Sequence, residues 1–171
     1  WCTDCGMAIA QVEMKDTEIQ STFNDIIFKI GGKDVPISTT RPELLPACVA
    51  VFVHPEDKRY RGLVGKKAKV PLTGAEVPVL EDEKVDPTKG TGIVMCCTFG
   101  DQTDIEWFLK HKLPLKTVIT RYGRMTEEAG KYSGMSIKDA RKAIIEDLKA
   151  AGMLVGQKPI VHSVNVHERC G

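Results

Sequence analysis

The sequence has no apolar run approaching the roughly 18 residues that a membrane-spanning helix needs, and Trp1-Cys2-Thr3 opens neither the charged nor the apolar stretch of a secretory leader. Neither membrane insertion nor secretion is expected, and the reading is cytoplasmic. Charge of one sign is missing as well: 24 Lys plus Arg stand against 23 Asp plus Glu, a net +1. A globally basic nucleic-acid binder is excluded, so any contact with RNA must be local. Familiar catalytic signatures are absent: there is no G-x-S-x-G, no H-E-x-x-H, no G-x-x-x-x-G-K-[ST], and no defensible Ser-His-Asp order around the four histidines. Repeats, low-complexity tracts and a disordered linker are missing too.

What is present fits one globular domain with a core of its own: 171 residues, 42% hydrophobic and 27% charged. The start at Trp1 rather than Met and the stop at Cys170-Gly171 read as a single domain, residues 1–171, excised from a longer protein whose body joins it at both termini. Six cysteines sort by spacing. Cys2-x-x-Cys5 at one end and His167-Glu168-Arg169-Cys170 at the other repeat a two-residue gap. With no sign of secretion, such pairs suggest a metal rather than disulfides. Cys2, Cys5, His167 and Cys170 could give three thiolates and one imidazole to a structural zinc clasping the termini. The bland alternative is ordinary residues at a cut edge. Cys48 reads as a small buried apolar residue.

The run from Ile19 to Ile30, the Gly31-Gly32 pair and Asp34 to Ile37 predict a hairpin. Val49 to Val53 and Gly92 to Cys97 predict buried strands, with short extended pieces at Lys67 to Pro71 and Glu76 to Leu80. Asp101 is placed to cap a helix that carries Ile105, Phe108 and Leu109 on one face and ends near His111. Ser136, with Asp139 three residues on, opens a second helix, whose Ile137, Ala140, Ile144, Ile145 and Leu148 share a face, and Gly152 stops it. The irregular strand spacing predicts an α+β fold, a β-barrel-like core with peripheral helices. His54, before Pro55, and His111, in a Lys-rich helix end, are expected at the surface.

Two segments carry candidate chemistry. Ser38-Thr39-Thr40-Arg41-Pro42-Glu43 gathers hydroxyls at a strand end. A helix N-cap explains one of them, but not three beside an Arg. Gly90-Thr91-Gly92-Ile93-Val94-Met95-Cys96-Cys97-Thr98-Phe99-Gly100-Asp101-Gln102-Thr103-Asp104 joins a buried strand to a helix start. That corner brings two carboxylates, free backbone N–H groups and the positive helix end together, and it can hold a charged ligand. Capping accounts for Asp101 as well as function does. It accounts less well for Asp104, since a cap already exists.

In order and spacing these segments, with Trp1-Cys2-x-x-Cys5, Gly123-Arg124-Met125, Tyr132-Ser133-Gly134 and the exit around His162 to Cys170, resemble the editing insertion of the class I aminoacyl-tRNA synthetases for valine, isoleucine and leucine. The resemblance covers essentially the whole chain. Asp101 and Asp104 three apart, where leucyl and isoleucyl members typically show Gly-His-Gly, and the His167-Glu168-Arg169-Cys170 exit look like the archaeal valyl type. The resemblance implies hydrolysis of threonine from mischarged tRNA(Val), with Asp104 on the α-ammonium and Asp101 on the threonine hydroxyl. Thr39, Thr40 and Arg41 would meet the terminal adenosine. Ser38, Glu43, Met95, Cys97, Thr98, Phe99 and Gly100 would complete the substrate pocket.

The chain departs from the bacterial valyl pattern. Met95-Cys96-Cys97 stands where that pattern has Lys-x-Thr, and Leu44 where it has Thr, so hydroxyl reading would pass to Cys97, Thr98 or Asp101. No cofactor is expected for editing, and ATP would serve only the separate catalytic body. The implied partners are the 3′ end of tRNA(Val) carrying threonine and the rest of the synthetase chain, with no membrane and a monomeric state. A rival isoleucyl reading, clearing valine from tRNA(Ile), expects an apolar pocket floor across residues 95–104. A second rival is a non-catalytic, zinc-clasped tRNA-docking module.

Overall fold

The computed structural model describes residues 2, 3 and 5–167, and its frame is a long β-ribbon that widens into a curled sheet. Strand β1 (Met14–Ile30) runs to the Gly31-Gly32 turn and returns as β2 (Lys33–Thr39), with Ile26 opposite Ile37 and Phe28 opposite Val35. Both turn glycines have positive φ, 56° and 82°, as a two-residue hairpin turn of this hand requires. Beyond this hairpin the sheet continues through β4 (Lys67–Lys69), β5 (Glu76–Glu81), β3 (Ala50–Val53) and β6 (Ile93–Cys96), in the order β2-β1-β4-β5-β3-β6. Strand β7 (Leu154–His167) pairs antiparallel with β1 from Met14 to Ile26, and the register shifts between Asp25 and Ile26. That bulge lets β7 and β4 share one side of β1 while β2 takes the other.

Burial follows the pleat. Ile26, Phe28, Ile30 and Ile37 are fully buried, and all four residues of β3 are too, since that strand is covered on both faces. Helix α2 (Ile137–Ala150) closes the main core with Ala140, Ile144 and Leu148, spaced four apart on one stripe. Ser136 caps it by accepting the Asp139 amide at 3.1 Å, and the Asp139 carboxylate accepts a hydrogen bond from the Ser136 hydroxyl rather than reaching back to the backbone. Helix α1 (Gln102–His111) covers a smaller cluster in which Trp107 stacks on Phe52 with centroids 4.3 Å apart.

The expected elements are all found, as is the barrel-like architecture. Two placements need correcting: Leu109 is 68% exposed, with Trp107 taking the buried face of α1, and His111 is only partly at the surface, its side chain 22% exposed. Its ring packs against Phe52 at 5.0 Å and its Nε2 lies 3.4 Å from Asp82 Oδ2, because the outward side of β3 faces α1 rather than solvent. His54 does occupy the turn, accepting the Glu56 amide on Nδ1.

Candidate functional site

A cavity of about 610 Å³ opens between the end of β2 and the β6–α1 corner. Its first wall is Ser38, Thr39, Thr40, Arg41 and Leu44. Strand β2 stops there because Arg41 leaves the extended region (φ −128°, ψ 65°) and Pro42 starts a 3₁₀ turn, Pro42–Ala47. The hydroxyls do not cap that turn through its first N–H groups; Thr39 Oγ1 instead accepts the Arg41 amide at 3.0 Å. Two buried residues of β1 brace the wall from behind. Asn24 donates to Thr22 O and Thr39 O, and Asp25 accepts the Ser38 hydroxyl at 2.5 Å. The second wall is Met95, Cys97, Gly100, Asp101, Thr103 and Asp104. The rim is the 84–90 loop, with Lys84, Asp86 and Lys89, facing Phe23, Ile160 and Val164 of the β1–β7 ribbon. Arg59 pins that loop by donating to Pro87 O at 2.7 Å while forking onto Asp57.

Asp101 accepts the Asp104 amide at 2.9 Å, so it is the helix cap that its position allows, and it remains exposed at the mouth. Asp104 is only 6% exposed, and its Oδ2 accepts the Cys97 amide at 3.1 Å. Burial raises its pKa above the ordinary carboxylate value, against the Cys97 and Gly100 amides that favour the anion. Among the described residues no Lys, Arg or His pairs with it. A buried carboxylate without a counter-ion is a site prepared for a small cation. The neighbouring thiols are not nucleophiles: a hydrogen bond with Cys48 and burial push Cys97 well up, and burial pushes Cys96 up.

The structure thus gathers Ser38, Thr39, Thr40, Arg41, Met95, Cys97, Gly100, Asp101 and Asp104 around one cavity. Three expected pocket residues lie elsewhere. Glu43 is fully buried beneath the wall, where Arg141 of α2 donates to its two oxygens at 2.8 and 2.6 Å. Thr98 is also fully buried, with φ +60° and Oγ1 3.5 Å from Pro114 O, which turns it to the back of the corner. Phe99 is 54% exposed and leans on Phe108 at 5.6 Å, outside the cavity lining. Sequence reasoning missed the 84–90 rim, although two lysines flanking Asp86-Pro87 just before Gly90 were a usable signal. It also missed Asn24 and Asp25, polar neighbours in an otherwise apolar half-strand.

At the far end of the ribbon the ligand atoms of Cys2, Cys5 and His167 lie within 4.8 Å of one another. The β1–β7 register brings His167 opposite Met14, and the Cys2 to Met7 turn, closed by Gly6 N–H to Cys2 O at 3.0 Å, presents both sulfurs. Both ring nitrogens of His167 are buried and have no hydrogen-bond partner among the described residues. Such a set fits a soft or borderline metal ion. Cys170 lies outside the described residues.

Residues 53–149, more than half of the chain, match the family model described as leucyl-tRNA synthetase, editing domain. The chain belongs to this editing-domain family. Over 99% of its length the domain is 54% identical to the valine–tRNA ligase of Haloarcula marismortui, 52% to that of Thermoplasma acidophilum and 51% to that of Methanocaldococcus jannaschii. It spans only about a fifth of those relatives, 20 to 22% of their length. The same fold occurs in the leucyl-tRNA synthetase of the Agrobacterium radiobacter K84 agnB2 ternary complex, with a TM-score of 0.62 at 17% identity over 89% of this chain and 21% of that one.

Proposed function

We propose that this editing domain serves a valine–tRNA ligase by hydrolysing threonine from mischarged tRNA(Val). The observation that carries the reading is Asp104, a buried carboxylate at a cavity floor whose neighbours within the described residues are backbone N–H groups and the Cys96 thiol rather than a cation. The α-ammonium of an esterified amino acid supplies the missing charge, and a charge-assisted bond to it fixes the ester in the cavity. Water then attacks the ester carbonyl. Its oxygen bonds to the carbonyl carbon, the bond to the ribose oxygen breaks, and that oxygen takes up the proton the water gives up, leaving threonine and intact tRNA. Thr39, Thr40 and Arg41 on the facing wall orient the terminal nucleotide, and Lys89 on the rim meets its phosphates.

Selection follows from polarity. An apolar synthetic pocket rejects threonine from valine only about a hundredfold, the known case for valyl enzymes rather than something read from these residues. A second cavity must therefore reward the hydroxyl. Asp101, exposed at the mouth with one oxygen committed to the helix cap, has acceptor capacity left for it, and Cys97 lines the same wall. The threonine hydroxyl gains a hydrogen bond there that the valine methyl cannot make.

No cofactor enters this hydrolysis. A zinc ion held by Cys2, Cys5, His167 and Cys170 would clasp the ends of the ribbon, with ATP used only by the remainder of the ligase. The partners are the 3′ end of tRNA(Val) and that remainder, in a monomeric, membrane-free, cytoplasmic protein. The test is hydrolysis of threonyl-tRNA(Val) beside valyl-tRNA(Val) and valyl-tRNA(Ile) by the full-length protein. Selective loss of threonine is expected, and preferential loss of valine from tRNA(Ile) would move the assignment to the isoleucyl branch.

A further inference from the structure

Gly100 is the point where both walls of the cavity meet. Its carbonyl accepts Arg41 Nη1 at 2.5 Å, tying the β6–α1 corner to the end of β2. Its amide lies close enough to the Asp104 carboxylate to favour the anion, and that carboxylate also holds the Cys97 amide at 3.1 Å. A Cβ on residue 100 would stand 2.2 Å from Asp104 Oδ2 and 3.7 Å from Leu44 Cδ1. Its φ is not positive, so backbone conformation does not demand glycine here. The demand comes from the carboxylate packed against its α-carbon.

We propose that Gly100 is a positioning residue for Asp104, its missing side chain and its carbonyl's bond to Arg41 together fixing where the carboxylate sits opposite that residue. The proposal rests on the reading of Asp104 as the ammonium anchor. A methyl group at residue 100 meets the end of a side chain rather than backbone, so the collision is relieved by rotating the carboxylate off the Cys97 and Gly100 amides, with the corner otherwise kept. The variant therefore folds, but presents its anion in the wrong place. A displacement of about an ångström between reacting groups costs on the order of a hundredfold in rate.

The experiment is single-turnover deacylation of threonyl-tRNA(Val) by the full-length protein carrying Gly100→Ala, Asp104→Ala, or both, across pH and beside melting curves. Gly100→Ala is expected to lose about a hundredfold in rate, with the acid limb of its pH profile moved upward, because the two amides that favour the anion no longer reach it. The double variant should be no slower than Asp104→Ala, since both changes act on one carboxylate. Parental rate and pH profile in Gly100→Ala, with Asp104→Ala inactive, would overturn the proposal and leave the editing reading intact. Parental rate in Asp104→Ala would overturn that reading, and the proposal with it. Should Gly100→Ala fail to fold, the double variant decides: folding restored by removing the carboxylate supports the collision, and continued misfolding refutes it.

Discussion

The ion pair under the threonine-rich wall gives a prediction whose asymmetry can be worked from exposure. Arg141 donates Nε and Nη2 to the two oxygens of Glu43, at 2.8 and 2.6 Å, joining α2 to the 3₁₀ turn 98 residues away in sequence. The Glu43 side chain is 1% exposed, whereas that of Arg141 is 43% exposed. Truncation of Arg141 to Met leaves a carboxylate that water cannot reach, and breaking a buried pair this way costs about 3–5 kcal/mol. The lower figure applies, because Arg41 Nε lies 3.8 Å from the same carboxylate and can partly replace it. Glu43→Gln instead leaves a guanidinium that can turn to solvent, so its cost is about 1–2 kcal/mol. For a chain of this size each kcal/mol moves Tm by about 2–4 °C, so Arg141→Met should melt about 6–12 °C below the parent and Glu43→Gln roughly 2–8 °C below. The pair Glu43→Leu with Arg141→Met removes both charges and should recover most of the loss. Urea or thermal melts of the four proteins read this directly. A Glu43→Gln variant with unchanged Tm but abolished deacylation would refute the reasoning, since it would make Glu43 a cavity residue after all.

Asp104→Asn should abolish deacylation yet leave Tm equal or higher at neutral pH, because burial raises the Asp104 pKa and its ionisation therefore costs stability. That advantage is fully present above the raised folded value and shrinks as pH falls through it toward the unfolded value; a Tm gap that widens on acidification would contradict the sign. Iodoacetamide at pH 8, read by peptide mass spectrometry, should leave Cys96 and Cys97 unlabelled in the native protein, as their thiols are buried and pushed up. Cys2 and Cys5 should be protected by zinc and labelled after chelation, with a fall in Tm; labelling that ignores the chelator would sink the clasp. Gly92→Ala should destabilise by about 1–3 kcal/mol in melts, since Gly92 has φ +79° and a Cβ would lie 2.6 Å from Pro87 O, a backbone atom that cannot rotate away.

How much was legible beforehand depended on whether local signals governed each element. Both helices were readable because Asp101 and Ser136 are caps set just ahead of apolar residues at helical spacing. The hairpin was readable because Gly31-Gly32 interrupts β-branched residues that alternate inward. The outer ribbon was not, since Lys15, Asp16, Thr17 and Glu18 are exposed and nothing in their pattern points to a partner 140 or more residues away. The same limit applied at the site. The two motif segments could be assigned to one cavity, but Glu43 belongs to the motif in sequence and to α2 in space, because one step along the 3₁₀ turn rotates its side chain inward. Thr98 is lost to the cavity through a positive φ that no sequence pattern announces for threonine. Asn24 and Asp25 serve the site because the β1–β2 register sets them opposite Thr39 and Ser38.

The most direct test of the central claim is to supply threonine and tRNA(Val) to the full-length protein and to its Asp104→Ala variant, and to measure accumulated threonyl-tRNA(Val). The expected result is accumulation in the variant and little or none in the parent, with valine charging equal in both. Equal, low accumulation in the two proteins would contradict an editing site built around Asp104.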